Sequence, residues 1–444
     1  MEISYINDPL PQIDKRQFLL VLLVTLAATF ALHEFPVYFA GIMVAIIFLA
    51  GVYNLPELGI AVLVNGLGLI GYFGQNVETS GFVIPVIVML YTPALIHYAL
   101  NHKLRWKFGL VPGLVLFIGA LLFIGVLYSP VPSQGFVKAG KYLAINAFIF
   151  FATMFFINDI NRLKSTLRLL ALFGFAITAI SIVYMAYAGV GSITRFTLPA
   201  HNPIWFARGL GISLLATFFL LQVTKKKVEK LVYLSFILVM LFLTYIAASR
   251  GPFLALLISL LFYFLLAHAR RFDFLKGLIS FLVILFALRL YIVIAPERIL
   301  TRMLSLFSRF DLSTFSRLQA FETAKNLFLD NPIKGAGTAG FGHFSILSYP
   351  HNMFLELASE IGILGVLACI ILVFYTAYLG IKLLRNKKAS FLELNLIKAY
   401  FAIFIFALIN SQVSGAIYNN VQLWFASAGI WTLYCRELKY STRR

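Results

Sequence analysis

Negative charge is scarce in this sequence. Its 444 residues include 17 Asp and Glu against 36 Lys and Arg, and charged residues of every kind make up 12%, about half the share found in soluble domains. The resulting net charge of +19 does not imply nucleic acid, because most of the basic residues sit in short loops between apolar runs, where they set membrane orientation. Cysteine is almost missing as well. Cys369 lies inside an apolar run and Cys435 beside a basic terminus, so no disulfide is expected. No HExxH, GxSxG, GxxxxGK(S/T) or CxxC spacing occurs, which removes support for a zinc hydrolase, a serine hydrolase or a nucleotide-driven pump. There is no internal repeat and no low-complexity tract.

What the chain has in excess is apolar sequence, 61% of its residues. Apolar runs fall at 17–34, 37–52, 57–73, 82–100, 109–128, 141–158, 166–188, 203–223, 229–248, 252–268, 275–294, 357–384, 391–412 and 418–435. A membrane helix needs about 20 residues, so the reading is an all-α polytopic membrane protein with 12–14 transmembrane helices. The lower count applies if two short early runs form a re-entrant hairpin. The first run lacks a small-residue cleavage pattern and reads as a retained span. Three regions follow: spans over 1–294, a long loop over 295–352, and spans with a tail over 353–444.

Alternating the crossings puts seven basic segments on one side: Lys15-Arg16, Lys103 to Lys107, Arg162 to Arg168, Lys225 to Lys227, Arg270 to Lys276, Arg385 to Lys388, and the tail from Arg436. That side is the cytoplasm, with both termini in it. Arginine on the other side therefore needs a reason. Arg195, Arg208, Arg250 and Arg289 all fall at or near outer ends. Arg250 stands between two spans with almost no loop, and His201 and Arg208 share a helical face if their helix starts by Asn202. The plain alternative is snorkelling to outer-leaflet phosphates.

The outer loop 296–352 is too long for a connector. Over Pro296–Phe310 the pattern is an amphipathic surface helix, with Arg298, Arg302 and Arg309 within about 40° of one another and Leu300, Met303, Leu304 and Phe307 opposite. Such a helix suits a membrane surface with its basic face toward lipid or substrate phosphates. A second helix is expected over Ser313–Leu329, stopped by Asp330-Asn331-Pro332. The glycines of 335–342 then read either as a flexible backbone able to wrap a sugar or pyrophosphate, or as a mobile lid. The loop closes at Tyr349-Pro350-His351-Asn352, where Asn352 can cap the next helix and His351 stands just outside its positive end. His351 fits a titratable catalytic group or simply a polar helix-start residue.

The outer set of Arg195, His201, Arg208, Arg250, Arg289 and His351 is rich in cations, and the outer side offers few carboxylates for a metal cage or for paired acids. Arginine forks suit a phosphate. A lipid pyrophosphate fits, with arginines stabilising it as a leaving group in place of a divalent metal and an imidazole taking the proton of an attacking sugar hydroxyl. No metal and no cofactor is called for.

The run Pro350-His351-Asn352-Met353-Phe354-Leu355-Glu356-Leu357 with Glu360-Ile361-Gly362-Ile363-Leu364-Gly365 resembles the HN-x-x-L-x-x-x-x-E-x-G-x-x-G signature of the O-antigen ligase/O-antigen polymerase superfamily. Asn331 to Gly337 resembles the approach to that signature, and Ser249-Arg250-Gly251 and Arg195 with His201-Asn202-Pro203 resemble its other outer-loop motifs. The resemblance covers about Gly189 to Gly365 and implies a GT-C-like, inverting, metal-independent glycosyltransferase of the bacterial inner membrane with a periplasmic site. It implies an undecaprenyl-pyrophosphate-linked glycan as donor, with Arg195 and Arg250 on the pyrophosphate and His351 as base or acceptor-positioning group. His201, Arg208, Asn352, Arg289 and Arg302 are added as substrate-binding candidates from spacing.

Three functions stay open at this point. A ligase would move a polysaccharide to lipid A–core, a polymerase would join repeat units onto a growing glycan, and a transporter or flippase would carry mid-span charges. Mid-span polar residues are few, Asn65, Asn146 and Asn410, without a two-fold pattern. The ligase is the leading reading. Membrane lipid is an expected partner and nucleic acid is not.

Overall fold

A computed structural model describes residues 55–70, 108–188, 195–198, 202–266, 312–386 and 388–441. The runs at 17–34, 37–52, 82–100 and 275–294 and the surface helix at 296–310 lie outside the described residues. So do His201, Arg289 and Arg302.

The described chain is all helix and loop, with no strand. Its helices are α1 (Pro56–Ile70), α2 (Leu110–Val126), α3 (Pro132–Lys141), α4 (Phe148–Phe156), α5 (Ile160–Ala188), α6 (Pro203–Val223), α7 (Lys227–Ile246), α8 (Arg250–Leu266), α9 (Leu312–Asp330), α10 (Phe341–Phe344), α11 (Met353–Leu384), α12 (Phe391–Val413) and α13 (Val421–Ser441). Six continuous helices among them are long and apolar enough to cross a membrane. This is an all-α polytopic membrane protein.

The apolar runs become these helices because a buried backbone without water must satisfy its own polar groups. Boundaries follow local chemistry. Asn202 caps α6, its side chain accepting from the Ile204 N–H at 2.9 Å, and Pro203 takes the first helical position. Ser390 and Glu393 close a reciprocal capping box on α12. The run expected at 141–158 begins earlier, at Pro132, and passes through a π turn at Tyr142–Ala147. Proline at the start of α3 costs nothing there, since its missing N–H would lack a helical partner anyway.

Helix α6 runs through the middle, with every residue from Phe206 to Leu220 buried. It packs on α1, α5, α7, α8 and α12, while α11 packs on α2, α9, α12 and α13. The mid-span asparagines are spent inside the bundle. Asn65 Nδ2 donates to Ser213 Oγ at 3.0 Å, and Asn410 Nδ2 to the Phe406 carbonyl at 2.8 Å. Cys369 and Cys435 are buried free thiols.

One helix is broken. Gly362 has φ 69 and ψ −159 inside α11, a combination that essentially only glycine adopts. The loop before α11 is spliced into that break. Ile363 N–H donates to the Pro332 carbonyl at 2.8 Å, while Ala336 and Gly337 N–H donate to the carbonyls of Ser359 and Glu360 at 2.8 and 2.9 Å. This corrects the expectation of a flexible glycine run. A Cβ on Gly335 would meet the Glu360 carbonyl group at 2.6 Å, and one on Gly337 would meet Ser129 Cα at 2.5 Å, so these glycines permit close packing. Thr338 completes the seam, its Oγ1 donating to the Leu122 carbonyl at 2.6 Å and its own carbonyl accepting from Ser129 Oγ at 2.7 Å.

Candidate functional site

The start of α11 is built by its own sequence. Asn352 has extended backbone, and its Oδ1 accepts from the Leu355 N–H at 3.0 Å, the geometry of an N-cap. Its Nδ2 donates to the Gln412 carbonyl at 3.3 Å, which ties the start of α11 to the end of α12. The Asn352 side chain is thus occupied by framework bonds on both sides.

His351, one residue earlier, is held at φ 59, a left-handed conformation uncommon outside glycine. Its ring meets the Tyr349 ring edge-on, centroids 4.6 Å apart. Its Nδ1 is buried without a hydrogen-bond partner. Burial first, then the nearby charges of Arg317 and Arg208, pushes this imidazole down to about 4. His351 is therefore neutral at ordinary pH and can accept a proton. Burial also pushes the Tyr349 phenol up, so it stays a hydroxyl donor.

Arg208 lies buried in α6. It is 1% exposed although it carries a fixed charge. Its Nη2 donates to the carbonyls of Asn410 and Ser414 at 2.6 and 2.7 Å, and Nη1 to Asn420 Oδ1 at 3.3 Å. The guanidinium also sits over the Trp205 ring, 4.8 Å from its centre. The carbonyls belong to the C-terminal end of α12, the partially negative end of a helix. Every one of these acceptors is neutral, and among the described residues no carboxylate lies within ion-pair distance of Arg208. A cation kept this dry is costly unless something anionic approaches it.

Arg195 and Arg250 stand at the same end of the bundle. Arg195 donates from Nη2 to Ser249 Oγ at 3.2 Å, and its segment is pinned where Phe196 N–H meets the Ile246 carbonyl at 2.9 Å. The Phe196 ring packs on Phe206, two residues before Arg208 in α6. Arg250 opens α8, and the next residue, Gly251, faces Val413 so closely that a Cβ there would come within 2.7 Å of its side chain. Arg195, Arg208, Arg250, His351 and Asn352 are thereby gathered around one feature, the end of α12 and the 414–420 turn. The N-termini of α6, α8 and α11 point their positive ends to the same place.

The structure adds residues that sequence reasoning missed. Arg317 in α9 acts electrostatically on both His351 and Tyr349; reading α9 only for its apolar period passed over it. Lys138 in α3 is buried between two carboxylates of α11, its Nζ 2.5 Å from Glu356 Oε1 and 2.7 Å from Glu360 Oε1. A lysine on the outer side is as unexpected as an arginine there, and that signal was available. The second oxygen of each carboxylate is also used. Glu356 Oε2 accepts from Ile417 N–H and Glu360 Oε2 from Ala339 N–H, both at 2.9 Å. Glu356 and Glu360 are thus consumed internally. Among the described residues no three His, Cys, Asp or Glu converge as a metal site.

A family profile described as O-antigen ligase matches residues 234–370, a stretch that contains Arg250, Arg317, His351, Glu356 and Glu360. Over that stretch the chain is similar to the O-antigen ligase family. Provisionally named polysaccharide ligases are similar to it across much of its length. One from Rickettsia felis is 26% identical over 340 residues, covering 67% of this chain and 79% of the relative. Another from Rickettsia conorii is 27% identical over 299 residues, 63% of this chain and 67% of the relative. A third from Rickettsia prowazekii is 26% identical over 336 residues, 72% and 78% respectively. These similarities support a glycosyl-transferring role in polysaccharide synthesis.

Proposed function

We propose that this protein transfers a glycan from undecaprenyl pyrophosphate to an acceptor hydroxyl at the periplasmic face of the bacterial inner membrane, and that it is an O-antigen ligase whose acceptor is lipid A–core. One observation carries the reading: the buried Arg208 guanidinium, bonded only to neutral acceptors, lies near a neutral imidazole at the meeting point of three helix N-termini. Such a place accepts a phosphate-bearing group. The choice of ligase over polymerase rests on the family description and on the names of the relatives.

The transfer is a single inverting displacement. The acceptor oxygen forms a bond to the anomeric carbon as the bond from that carbon to the pyrophosphate oxygen breaks, and the electron pair leaves with undecaprenyl pyrophosphate. The acceptor proton passes to His351. Arg195, Arg208 and Arg250, with Arg317, stabilise the growing charge on the leaving group, the task a metal performs elsewhere. An imidazole held near 4 is a weak base in the empty site. A bound pyrophosphate favours its charged form, so donor binding makes His351 more basic when a base is needed.

The test is a gel of surface polysaccharide from a deletion strain, complemented with wild type or with His351→Ala. Long chains retained on undecaprenyl pyrophosphate and missing from lipid A–core, restored only by wild type, are the expected result. Core capped with single repeat units and no ladder above them would make the protein a polymerase. An unchanged gel overturns the proposal.

A further inference from the structure

Beside the cation site lies a charged cluster that the chemistry above does not use. Lys138, Glu356 and Glu360 are all buried, one ammonium serving two carboxylates. Burying such a group is costly, and ion clusters of this kind are weak sources of stability; fixing one arrangement is among their better-attested uses. What this one fixes can be followed bond by bond. Glu356 Oε2 accepts from the Ile417 N–H at 2.9 Å. On the other side of that residue, Asn146 Nδ2 donates to the Ile417 carbonyl at 2.6 Å. The π turn of Tyr142–Ala147 carries Asn146, and such turns re-aim single side chains.

Ile417 is therefore clamped through both its backbone groups, and it stands in the 414–420 turn. The same turn supplies two of the acceptors on Arg208, the Ser414 carbonyl and Asn420 Oδ1. Asn420 is braced by its own bond to the Ala416 carbonyl at 3.1 Å. Two of the three acceptors on Arg208 therefore move with the turn, while the third, the Asn410 carbonyl, belongs to α12.

We propose that Glu356, held by Lys138, is a positioning residue: it fixes the 414–420 turn and through it aims Arg208 at the phosphate of a lipid-linked donor. This rests on the reading of Arg208 given above. Glu356 itself is placed away from the transfer, because both its oxygens are engaged by protein groups.

Two double variants separate positioning from charge. Lys138→Met with Glu356→Gln and Lys138→Met with Glu356→Met have the same net charge and closely similar side-chain volumes. At Ile417 they differ in what matters here: glutamine keeps an acceptor oxygen for Ile417 N–H and methionine does not, while the glutamine NH2 adds a donor that can meet Glu360. Purified full-length protein in lipid nanodiscs would be given an undecaprenyl-pyrophosphate-linked glycan and acceptor, and amide exchange over 414–420 followed in parallel. The Gln pair should stay within about tenfold of wild type. The Met pair should expose the Ile417 amide and transfer about 10²-fold more slowly, the scale of an ångström-sized misplacement in a reacting site, with the acceptor KM unchanged.

Equal rates in the two pairs overturn the proposal. Arg208→Ala in the same assay then says which part fails. If it too transfers at the wild-type rate, the reading of Arg208 is wrong; if it is inactive, the positioning link is wrong. Should the Met pair fail to accumulate, Asn420→Ala loosens the same turn without touching the ion cluster, and undiminished transfer by that variant overturns the proposal equally.

Discussion

Replacing Gly362 by alanine puts a methyl group where the backbone of Ile333 already is, on a residue with φ 69 and ψ −159. The chain then has two ways to respond. If α11 keeps its break, the alanine occupies a glycine-only region at a cost of about 1–3 kcal/mol, and Ile333 must still move aside. If α11 closes into a continuous helix, Ile363 N–H returns to the Ser359 carbonyl. Its bond to the Pro332 carbonyl is then lost, and so are those from Ala336 and Gly337 to Ser359 and Glu360. Three bonds go and one returns, at about 1 kcal/mol each. Either route costs about 2–3 kcal/mol and lifts the 332–340 loop from α11. The segment leading to Tyr349 and His351 is then held only by what remains, the bonds from Ala339 to Glu360 and from Thr338 to Gly125. The assay is limited proteolysis of 331–348 with thermal unfolding in detergent, followed by transfer activity. A variant with wild-type protease resistance, unfolding midpoint and rate would refute the splice as an anchor of the site.

Arg208→Lys should lose most transfer, because a point charge cannot reach the Asn410, Ser414 and Asn420 acceptors together; a rate within about twofold of wild type would reduce Arg208 to a generic cation. His351, held down to about 4 in the free protein, should leave the kcat/KM profile without a break near the ordinary imidazole value of about 6.5. The break in kcat should lie higher than the break in kcat/KM, since bound pyrophosphate raises this imidazole; the reverse order would count against His351 as base. The same depression has a stability sign. Between about 6.5 and about 4 the unfolded chain binds a proton that the folded protein refuses, so His351 makes the fold less stable as pH falls through that window. His351→Asn should flatten that part of an unfolding profile. Arg317→Ala removes a charge that lowers the imidazole, so its kcat/KM break should move up, with donor kcat/KM down by about tenfold; an unmoved break would place Arg317 outside the site.

Part of the candidate site was legible in the sequence. Asn352 as a cap and Pro203 as a helix start follow from side chains acting on their own neighbours. Arg195, Arg208 and Arg250 stood out because arginine is uncommon on that side of a membrane protein. Spacing offers Asn352 as a substrate contact, and the fold adds that its amide is bonded to Leu355 and Gln412. The glycines of 335–337 show the limit of such reading, since flexibility and tight packing ask for the same residue.

The sequence by itself determined the helices. Apolar runs of bilayer length must bond within themselves, and capping residues act over three or four positions. Only the tertiary structure decided how the charges are shared. Lys138 meets Glu360 across 222 positions, and Arg208 meets Ser414 across 206. No local period records such pairs, because a buried charge is satisfied by whatever the fold brings within about 3 Å of it. Which groups meet the buried cations was therefore settled by packing.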